Sequence, residues 1–438
     1  MFVSLFLSFL RLLYHLLRWL VRLVVFFTIP FLLQYSSPPF GEDWMAVAVL
    51  AKGNQFDYVG WMIEAMVVKV EQTLWGVHPF MSEQSRTQFV REYMTDLATV
   101  QSLEAEVGRI YANPSIDDPF SASADVRAQR DALRADLENR QPLVEAILEG
   151  QVAAVLVEQG FGVGGQLLPP ISMHFTRVPN MLVISPRDEI RFEISTPLNP
   201  MPVDAQAALE DRIDQERNVS SLIVPLGGIA LYPAMILETT SIQYALETFA
   251  HEWLHHYLLA FPLGLNYDIS GETRIINETT SELFGREIGR LVLMRYYPDL
   301  VPPEPPPPDP DETPAPTPTP DPDAFDFGRE MHETRTTVDT LLAEGRIEEA
   351  EAYMEQRREL FVEHGYLIRK LNQAWFAFYG GYQAGTPGVA GDDPIAPAIR
   401  AIRDASPSVY EWITIMREIV TREDLVEAAA NYSSSFSS

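Results

Sequence analysis

Apolar and polar residues follow a helical period through the first part of the chain. Over residues 83–112 and 124–159, apolar residues recur every three or four positions among Ala, Leu, Glu and Arg. This spacing predicts two long helices, the second one kinked or broken at Pro142. The charged residues between the apolar ones are expected to form solvated helix faces. Residues 41–160 are therefore predicted to be a helical N-terminal region.

The period shortens after residue 160. Short segments rich in β-branched and aromatic residues are separated by turn residues, which predicts strands at 172–177, 181–185, 189–196, 221–224 and 228–231. Helical spacing returns at 204–217, at about 241–260 and from about Thr273 onwards. It also covers 325–379 and 393–430. The pattern predicts an α+β fold with a small mixed sheet and mostly helical N- and C-terminal parts.

The first 35 residues are almost entirely apolar. Arg11, His15, Arg18 and Arg22 interrupt them at spacings of 4, 3 and 4, which places all four on one helical face. The segment is long enough to span a bilayer if Arg18 and Arg22 reach the interface or face a partner. The alternative is a helix that lies in the interface with its basic face on the lipid headgroups. Either arrangement predicts a membrane anchor at 1–40, with membrane lipid as a partner.

The distribution of basic residues suggests an orientation. These residues precede the apolar run at 23–33, and no Lys or Arg follows until Lys52. The positive-inside rule then favours a cytoplasmic N-terminus, with the bulk of the chain outside the cytoplasm. A cleaved signal peptide is disfavoured because the apolar region is too long and no clear cleavage site follows it.

Composition defines the C-terminal boundaries. Twelve of the 22 residues at 301–322 are proline, which predicts an extended spacer at 301–324. A helical C-terminal subdomain is expected at 325–430, followed by a disordered tail at 431–438.

Charge and cysteine content exclude several functions. The chain of 438 residues has 32 Lys and Arg against 61 Asp and Glu, a net charge of −29. Nucleic acid is excluded as an expected partner because phosphate binding needs a basic face. Cysteine is absent, so the chain has neither disulfides nor thiolate metal ligands. A zinc site would therefore use nitrogen and oxygen ligands.

Such ligands occur in the HExxH sequence of the predicted helix at 241–260. His251 and His255 are four residues apart, so they project from the same helical face and can share one metal ion. Glu252 lies beside them as a candidate general base.

A second motif follows at Asn277, where the sequence reads NETTSELFG. With HExxH, it resembles the gluzincin (thermolysin-like) class of zinc peptidases, whose third ligand is the Glu of an NExxxD motif. The resemblance implies a zincin-like catalytic core at 161–300 and Zn²⁺ bound by His251, His255 and Glu278. It also implies supporting roles for Asn277 and Glu282. Glu282 replaces the usual Asp that orients the first histidine, with one more methylene of reach.

Two further segments carry candidate substrate contacts. The strand Gly228, Ile229 and Ala230 precedes the HExxH helix and could pair with extended peptide, since glycine permits close backbone approach. The alternative is an ordinary buried strand.

The segment from Leu371 resembles one found in a family of bacterial proteins assigned as zinc aminopeptidases. Leu371, Asn372, Ala374 and Tyr382 match it. The resemblance makes Tyr382 the first candidate donor to the oxyanion of a peptidase, ahead of Tyr379 and His364. The alternative is an aromatic helix that packs on the core.

These features predict a membrane-anchored zinc peptidase that acts on peptide or protein substrates, with Glu252 as general base. Two alternatives remain. One is an inactive zinc-binding scaffold, and the other is a membrane-associated interaction protein that uses the proline-rich segment. The sequence leaves open whether the enzyme is an endopeptidase or an aminopeptidase.

Overall fold

The structure, a computed structural model, describes residues 2–33, 43–113, 115–301, 325–383 and 385–435. It forms two compact units, Met1–Leu50 and Ala51–Ser438. The second unit combines many helices with small sheets, which confirms the predicted α+β class. Residues 302–324, which make up nearly all of the predicted proline-rich spacer, lie outside the described residues.

The helices follow the predicted pattern closely. They are α1 (Phe2–Leu33), α2 (Asp43–Leu50), α3 (Tyr58–Trp75), α4 (Glu83–Ala112), α5 (Pro119–Ala122), α6 (Ala124–Leu156), α7 (Val203–Arg217), α8 (Ile242–Leu258), α9 (Pro262–Leu265), α10 (Gly271–Tyr296), α11 (Phe327–Ala343), α12 (Ile347–Glu363), α13 (Gln373–Tyr379), α14 (Ile395–Ala405), α15 (Val409–Met416) and α16 (Arg422–Ser435).

Two sequence predictions about helices need correction. Helix α6 continues through Pro142 without the predicted break. Leu137 and the run from Val144 to Glu149 are buried, and this packing outweighs one lost backbone hydrogen bond. Helix α16 extends to Ser435, which is five residues into the segment predicted to be disordered. The helix-forming Ala428–430 run leads directly into this extension. Residues 436–438 lie outside the described residues.

In the first unit, α1 is a single uninterrupted helix of 32 residues. Because the helix is continuous, Arg11, His15, Arg18 and Arg22 lie on one face of it, as their spacing predicts. In the described parts of the chain, no helix combines the length and the apolar character that crossing a membrane requires.

The described residues of the second unit form eight short strands. They are β1 (Gly162–Val163), β2 (Gln166–Leu167), β3 (Met173–Thr176), β4 (Asn180–Pro186), β5 (Ile194–Leu198), β6 (Val219–Pro225), β7 (Gly228–Ile229) and β8 (Ala234–Leu237). One sheet has the order β3-β8-β7, with β3 parallel and β7 antiparallel to β8. A second, antiparallel sheet has the order β5-β4-β6. The mixed sheet thus ends at β7, next to the HExxH helix.

Apolar side chains collect in two cores. The first core joins α4, α6, α8, α10 and α14–α16, with Trp253, Phe249 and Trp412 among its largest fully buried side chains. The second core joins the antiparallel sheet to α11–α13, around Phe361 and Phe376. Residues after 325 therefore contribute to both cores.

Helices α8 and α10 approach closely at a glycine. A β-carbon at Gly285 would lie 2.6 Å from the backbone oxygen of Glu247 and 3.1 Å from Cβ of His251. Only a residue without a side chain allows this separation. The contact brings the face of α10 that carries Glu278 towards the two histidines of α8.

A buried charged cluster attaches α3 to α6. Lys69 Nζ lies 2.7 Å from Oε2 of Glu145 and 2.9 Å from Oε1 of Glu149. The two carboxylates also accept backbone N–H groups of Phe175 and Met173 in β3. Since each charge has partners, the cluster meets the condition for burying ionised groups.

Candidate metal centre and active-site cavity

Helix α8 places the two HExxH histidines side by side. The helix begins after Ser241, whose side chain accepts the N–H of Tyr244 as an N-cap. One turn separates His251 from His255, and their Nε2 atoms are 3.0 Å apart. The adjacent His256 points elsewhere, with Nε2 2.7 Å from the carbonyl oxygen of Leu231.

Glu278 of α10 faces this pair. Its Oε2 lies 3.5 Å from Nε2 of His251 and 3.5 Å from Nε2 of His255. Its Oε1 accepts a hydrogen bond from the hydroxyl of Tyr267, which fixes the carboxylate so that Oε2 points at the imidazoles. The structure therefore brings the three predicted ligands together, with one ligand atom from each within 4.8 Å of the others.

The geometry of these three residues fits a zinc ion. Zinc binds imidazole and carboxylate donors at about 2.0–2.2 Å, so two donors of a tetrahedral ion lie roughly 3.3 Å apart. The observed separations of 3.0 and 3.5 Å agree with this value. Oε2 of Glu278 is also buried and has no hydrogen-bond partner among the described residues, which is an expensive arrangement for a carboxylate oxygen unless a cation pairs with it.

The charges of the three cluster residues are coupled. Burial alone would raise the pKa of Glu278, but His255 and His251 hold that pKa well below its usual value. Burial alone would lower the pKa of His255, yet Glu278 raises it to about 9. Each group thus stabilises the charged form of the other. Because only the neutral imidazole coordinates a metal, a bound ion would replace this proton as the positive charge opposite the carboxylate.

Glu252 lies next to the cluster and is buried. Desolvation raises the pKa of its carboxyl group, while His251 and His255 oppose that rise. A raised pKa suits a group that must accept and return a proton near neutral pH.

The predicted substrate strand is an edge strand that touches this base. β7 pairs with β8 on one side, through the register Gly228 to Ile236. A β-carbon on Gly228 would lie 2.2 Å from Oε1 of Glu252. The absence of a side chain at Gly228 thus leaves the space that the carboxylate of Glu252 occupies.

The cluster lies in a cavity of about 730 Å³. Residues that belong to or pack against both cores line it. The lining residues include His251, Glu252, His255, Glu278, Gly228, Ile229, Ala230, Tyr267, Arg274 and Tyr382. Burial, with smaller contributions from Glu278 and Glu252, raises the pKa of Tyr382 well above its usual value. Its hydroxyl therefore stays protonated and can donate. The hydroxyl of Thr279 contacts the carbonyl of Gly381, which holds this segment against α10.

The two other candidate donors are not among the lining residues. Tyr379 packs on Trp375 with ring centres 4.6 Å apart. His364 is exposed and stacks on Phe325 at 3.9 Å. Of the three candidates, the structure places only Tyr382 in the cavity.

The residues predicted to support the ligands have varied contacts. The side chain of Asn277 donates to the carbonyl of Leu263 at 3.2 Å, and it contributes to the raised pKa of His255. Glu282 accepts from Arg286 at 2.6 Å through Oε1, and its buried Oε2 has no hydrogen-bond partner in the described part of the chain. Among the hydrogen bonds of the described residues, Glu282 has none to His251, which the resemblance had led us to expect.

Sequence reasoning did not identify Tyr267 and Arg274. Arg274 is four residues before Glu278, so helical periodicity could have placed it on the ligand face of α10. Tyr267 lies in the connection between α9 and α10, where spacing carries no information about side-chain direction.

Comparison of the chain with family models, with curated proteins and with solved structures finds no match. The case for a function therefore rests on the residues of this cavity.

Proposed function

We propose that this protein is a zinc-dependent peptidase of zincin-like architecture. The observation that carries the proposal is the convergence of His251, His255 and Glu278 beside Glu252 in one cavity. A structural zinc site would need the three ligands and a fourth one, but it would need no base. The substrate would be a peptide or protein that lies along the edge strand β7.

Zinc is the metal that the ligands favour. Two imidazoles and one carboxylate are the donor set of several catalytic zinc sites, and the absence of cysteine excludes thiolate coordination. A zinc ion held by His251, His255 and Glu278 would supply polarisation of the scissile carbonyl and a more nucleophilic water at neutral pH.

Residues of the chain would supply the remaining chemistry. Glu252 accepts a proton from the attacking water and passes it to the departing amine. Tyr382 donates a hydrogen bond to the oxygen on which negative charge develops. Tyr267 keeps the Glu278 carboxylate in its ligand orientation.

The test combines metal content with turnover. Purified protein should contain one zinc per chain, and His255→Ala should lose it, as measured by elemental analysis. Glu252→Gln should keep its zinc and lose about three or more orders of magnitude in peptide turnover.

The same two measurements, zinc content and peptide turnover, separate the alternative functions. An inactive zinc-binding scaffold would contain zinc and hydrolyse no peptide in the wild-type form. An interaction protein without a metal site would contain no zinc. Wild-type turnover in Glu252→Gln would refute the proposed role of this residue and the mechanism built on it.

We also propose that α1 attaches the protein to a membrane. The apolar composition of this helix and its single basic face support the attachment. The proposed location of the catalytic part, outside the cytoplasm, rests on the distribution of Arg and Lys around the apolar run.

A further inference from the structure

Arg274 is a fixed cation in the wall of the cavity. Its guanidinium carbon lies 4.1 Å from the ring centre of Phe192 and 4.8 Å from that of Tyr267. The side chain is 18% exposed. Contacts of this kind with aromatic rings hold the guanidinium in a defined plane and stabilise its partly buried charge.

Most hydrogen-bonding capacity of this guanidinium is unused. Nη2 donates to the carboxylate of Asp268, and none of the described residues accepts a hydrogen bond from Nε or Nη1. The side chain of Asp268 is 81% exposed, so its carboxylate can be replaced by another one at little cost. When Asp268 is displaced, Nη2 together with Nε or Nη1 presents two parallel donors, which match the geometry of a carboxylate.

One tyrosine side chain separates Arg274 from the metal ligands. Tyr267 contacts the guanidinium through its ring and Glu278 through its hydroxyl. This separation is on the order of two residues of extended peptide, at about 3.3–3.6 Å per residue. A peptide with its scissile bond at the metal cluster could therefore place a nearby carboxylate on Arg274.

Other arginines that line the cavity are engaged by the protein. Arg335 donates to both oxygens of Asp339 and to the carbonyl of Val389. Arg422 lies within 3.4 Å of carboxylate oxygens of Asp393 and Glu272. Arg191 pairs with Glu189, and its side chain is 46% exposed.

We propose that Arg274 binds a carboxylate of the substrate and gives the peptidase a preference for peptides that carry one near the scissile bond. The carboxylate is either the free C-terminus or an Asp or Glu side chain within about two residues. This inference rests on the proposed peptidase function and adds a class of substrate to it.

The experiment uses the full-length chain and matched hexapeptide pools of Ala, Gly, Leu, Phe and Ser. Each pool has one Glu or one Gln at a fixed position, and each is made with a C-terminal acid or amide. Binding of the fluorescently labelled pools is measured in a Glu252→Gln background by anisotropy, and kcat/KM is measured with Glu252 present.

Pools with the recognised carboxylate should bind about 10- to 100-fold more tightly than their neutral counterparts. Arg274→Gln should abolish this difference, and Arg274→Lys should restore only part of it because lysine lacks the planar fork. Asp268→Asn should strengthen binding of the same pools because it removes the competing carboxylate. A preference in the acid pools assigns the C-terminus, and one in the Glu pools assigns the side chain.

Arg191→Gln is the matched control, since it removes the same charge from the same cavity. An equal loss of preference in Arg191→Gln would mean that general positive potential is responsible, and it would overturn the assignment to Arg274. Hydrolysis of all pools without preference would overturn the inference and leave the peptidase function in place. Carboxylate-dependent binding through Arg274 without hydrolysis of any pool would overturn the peptidase function and leave the carboxylate site in place. Absence of binding by every pool would overturn both the carboxylate site and the peptidase function.

Discussion

At Gly228, a β-carbon would lie 2.2 Å from Oε1 of Glu252 and 2.9 Å from its carboxyl carbon. Any side chain at this position must displace the proposed base. We expect Gly228→Ala to reduce kcat/KM by about 10- to 100-fold, since small displacements of a catalytic group have costs of this size. Turnover assays and thermal unfolding of the variant would measure the effect.

Gly271 provides the control for this substitution. It also lines the cavity, and a β-carbon there would meet no atom within 4 Å. Gly271→Ala should keep wild-type turnover. If both variants lose activity equally, the space beside Glu252 is not the cause.

Tyr382 and Tyr267 are both tyrosines of the cavity, and their removal should have different effects. Tyr382 makes no hydrogen bond through its hydroxyl to the described residues, whereas Tyr267 donates to Glu278. Tyr382→Phe should lower turnover by about two orders of magnitude and leave zinc affinity unchanged. Tyr267→Phe should instead weaken zinc binding by about 10- to 100-fold.

Competition with a chelator would measure zinc affinity, and peptide assays with excess zinc would measure turnover. Normal turnover in Tyr382→Phe would remove this residue from the mechanism without affecting the assignment of the metal ligands.

At the scale of residues, the sequence is most informative where helical geometry determines the direction in which a side chain points. His251 and His255 could be predicted because helical spacing places them on one face, and Glu278 because its motif resembles that of a known class of zinc peptidases. Tyr267 could not, because its direction depends on how the connection after α9 folds. Resemblance ranked Tyr382 first among three candidate donors. The packing of α13 and the following residues then decides which of the three lines the cavity.

At the scale of elements, the buried Lys69 cluster makes the attachment of α3 testable. Lys69→Met would leave Glu145 and Glu149 close together in the interior without a cation. We expect a loss of about 3–5 kcal/mol in the free energy of unfolding at neutral pH. Chemical denaturation would measure it, with the exposed Lys52→Met as the control.

This loss should depend on pH. Burial would raise the pKa of Glu145, but Lys69 and His174 hold it at about 2, against an ordinary value of 4.5. Glu145 therefore stabilises the wild-type fold above about pH 4.5 and loses that contribution as the pH falls towards about 2. The difference between wild type and Lys69→Met should shrink over the same range. A difference that stays constant with pH would rule out unpaired carboxylates as its cause.

The elements themselves were predicted with uneven success. Helix α4 has the predicted bounds because its apolar spacing is regular and Ser82 caps its start. Strand β8 was missed, since Ala234–Leu237 is a short apolar run that periodicity cannot assign. Its parallel pairing with β3 joins residues about 60 positions apart, which no local pattern encodes.

At the scale of the whole molecule, the prediction concerns attachment to membranes. The intact chain should sediment with membranes and resist a wash at high salt, because salt does not screen the burial of apolar side chains. Removal of residues 1–40 should release the protein into the soluble fraction. Sedimentation followed by immunoblotting would measure both forms.

If high salt alone releases the intact protein, the basic face of α1 accounts for the binding and the apolar face does not. Full retention after removal of residues 1–40 would place the attachment elsewhere in the chain.

The residues that follow position 325 contribute to both cores, with α11–α13 in one and α14–α16 in the other. A protease that cuts once between 301 and 325 would therefore leave two polypeptides held together by buried apolar surface. The first polypeptide would carry the three proposed metal ligands and Glu252, and the second would carry Tyr382. A denaturing gel would show two bands, while the native particle and its proposed catalytic groups would stay assembled. For this protein, fragmentation on a gel would be no measure of inactivation.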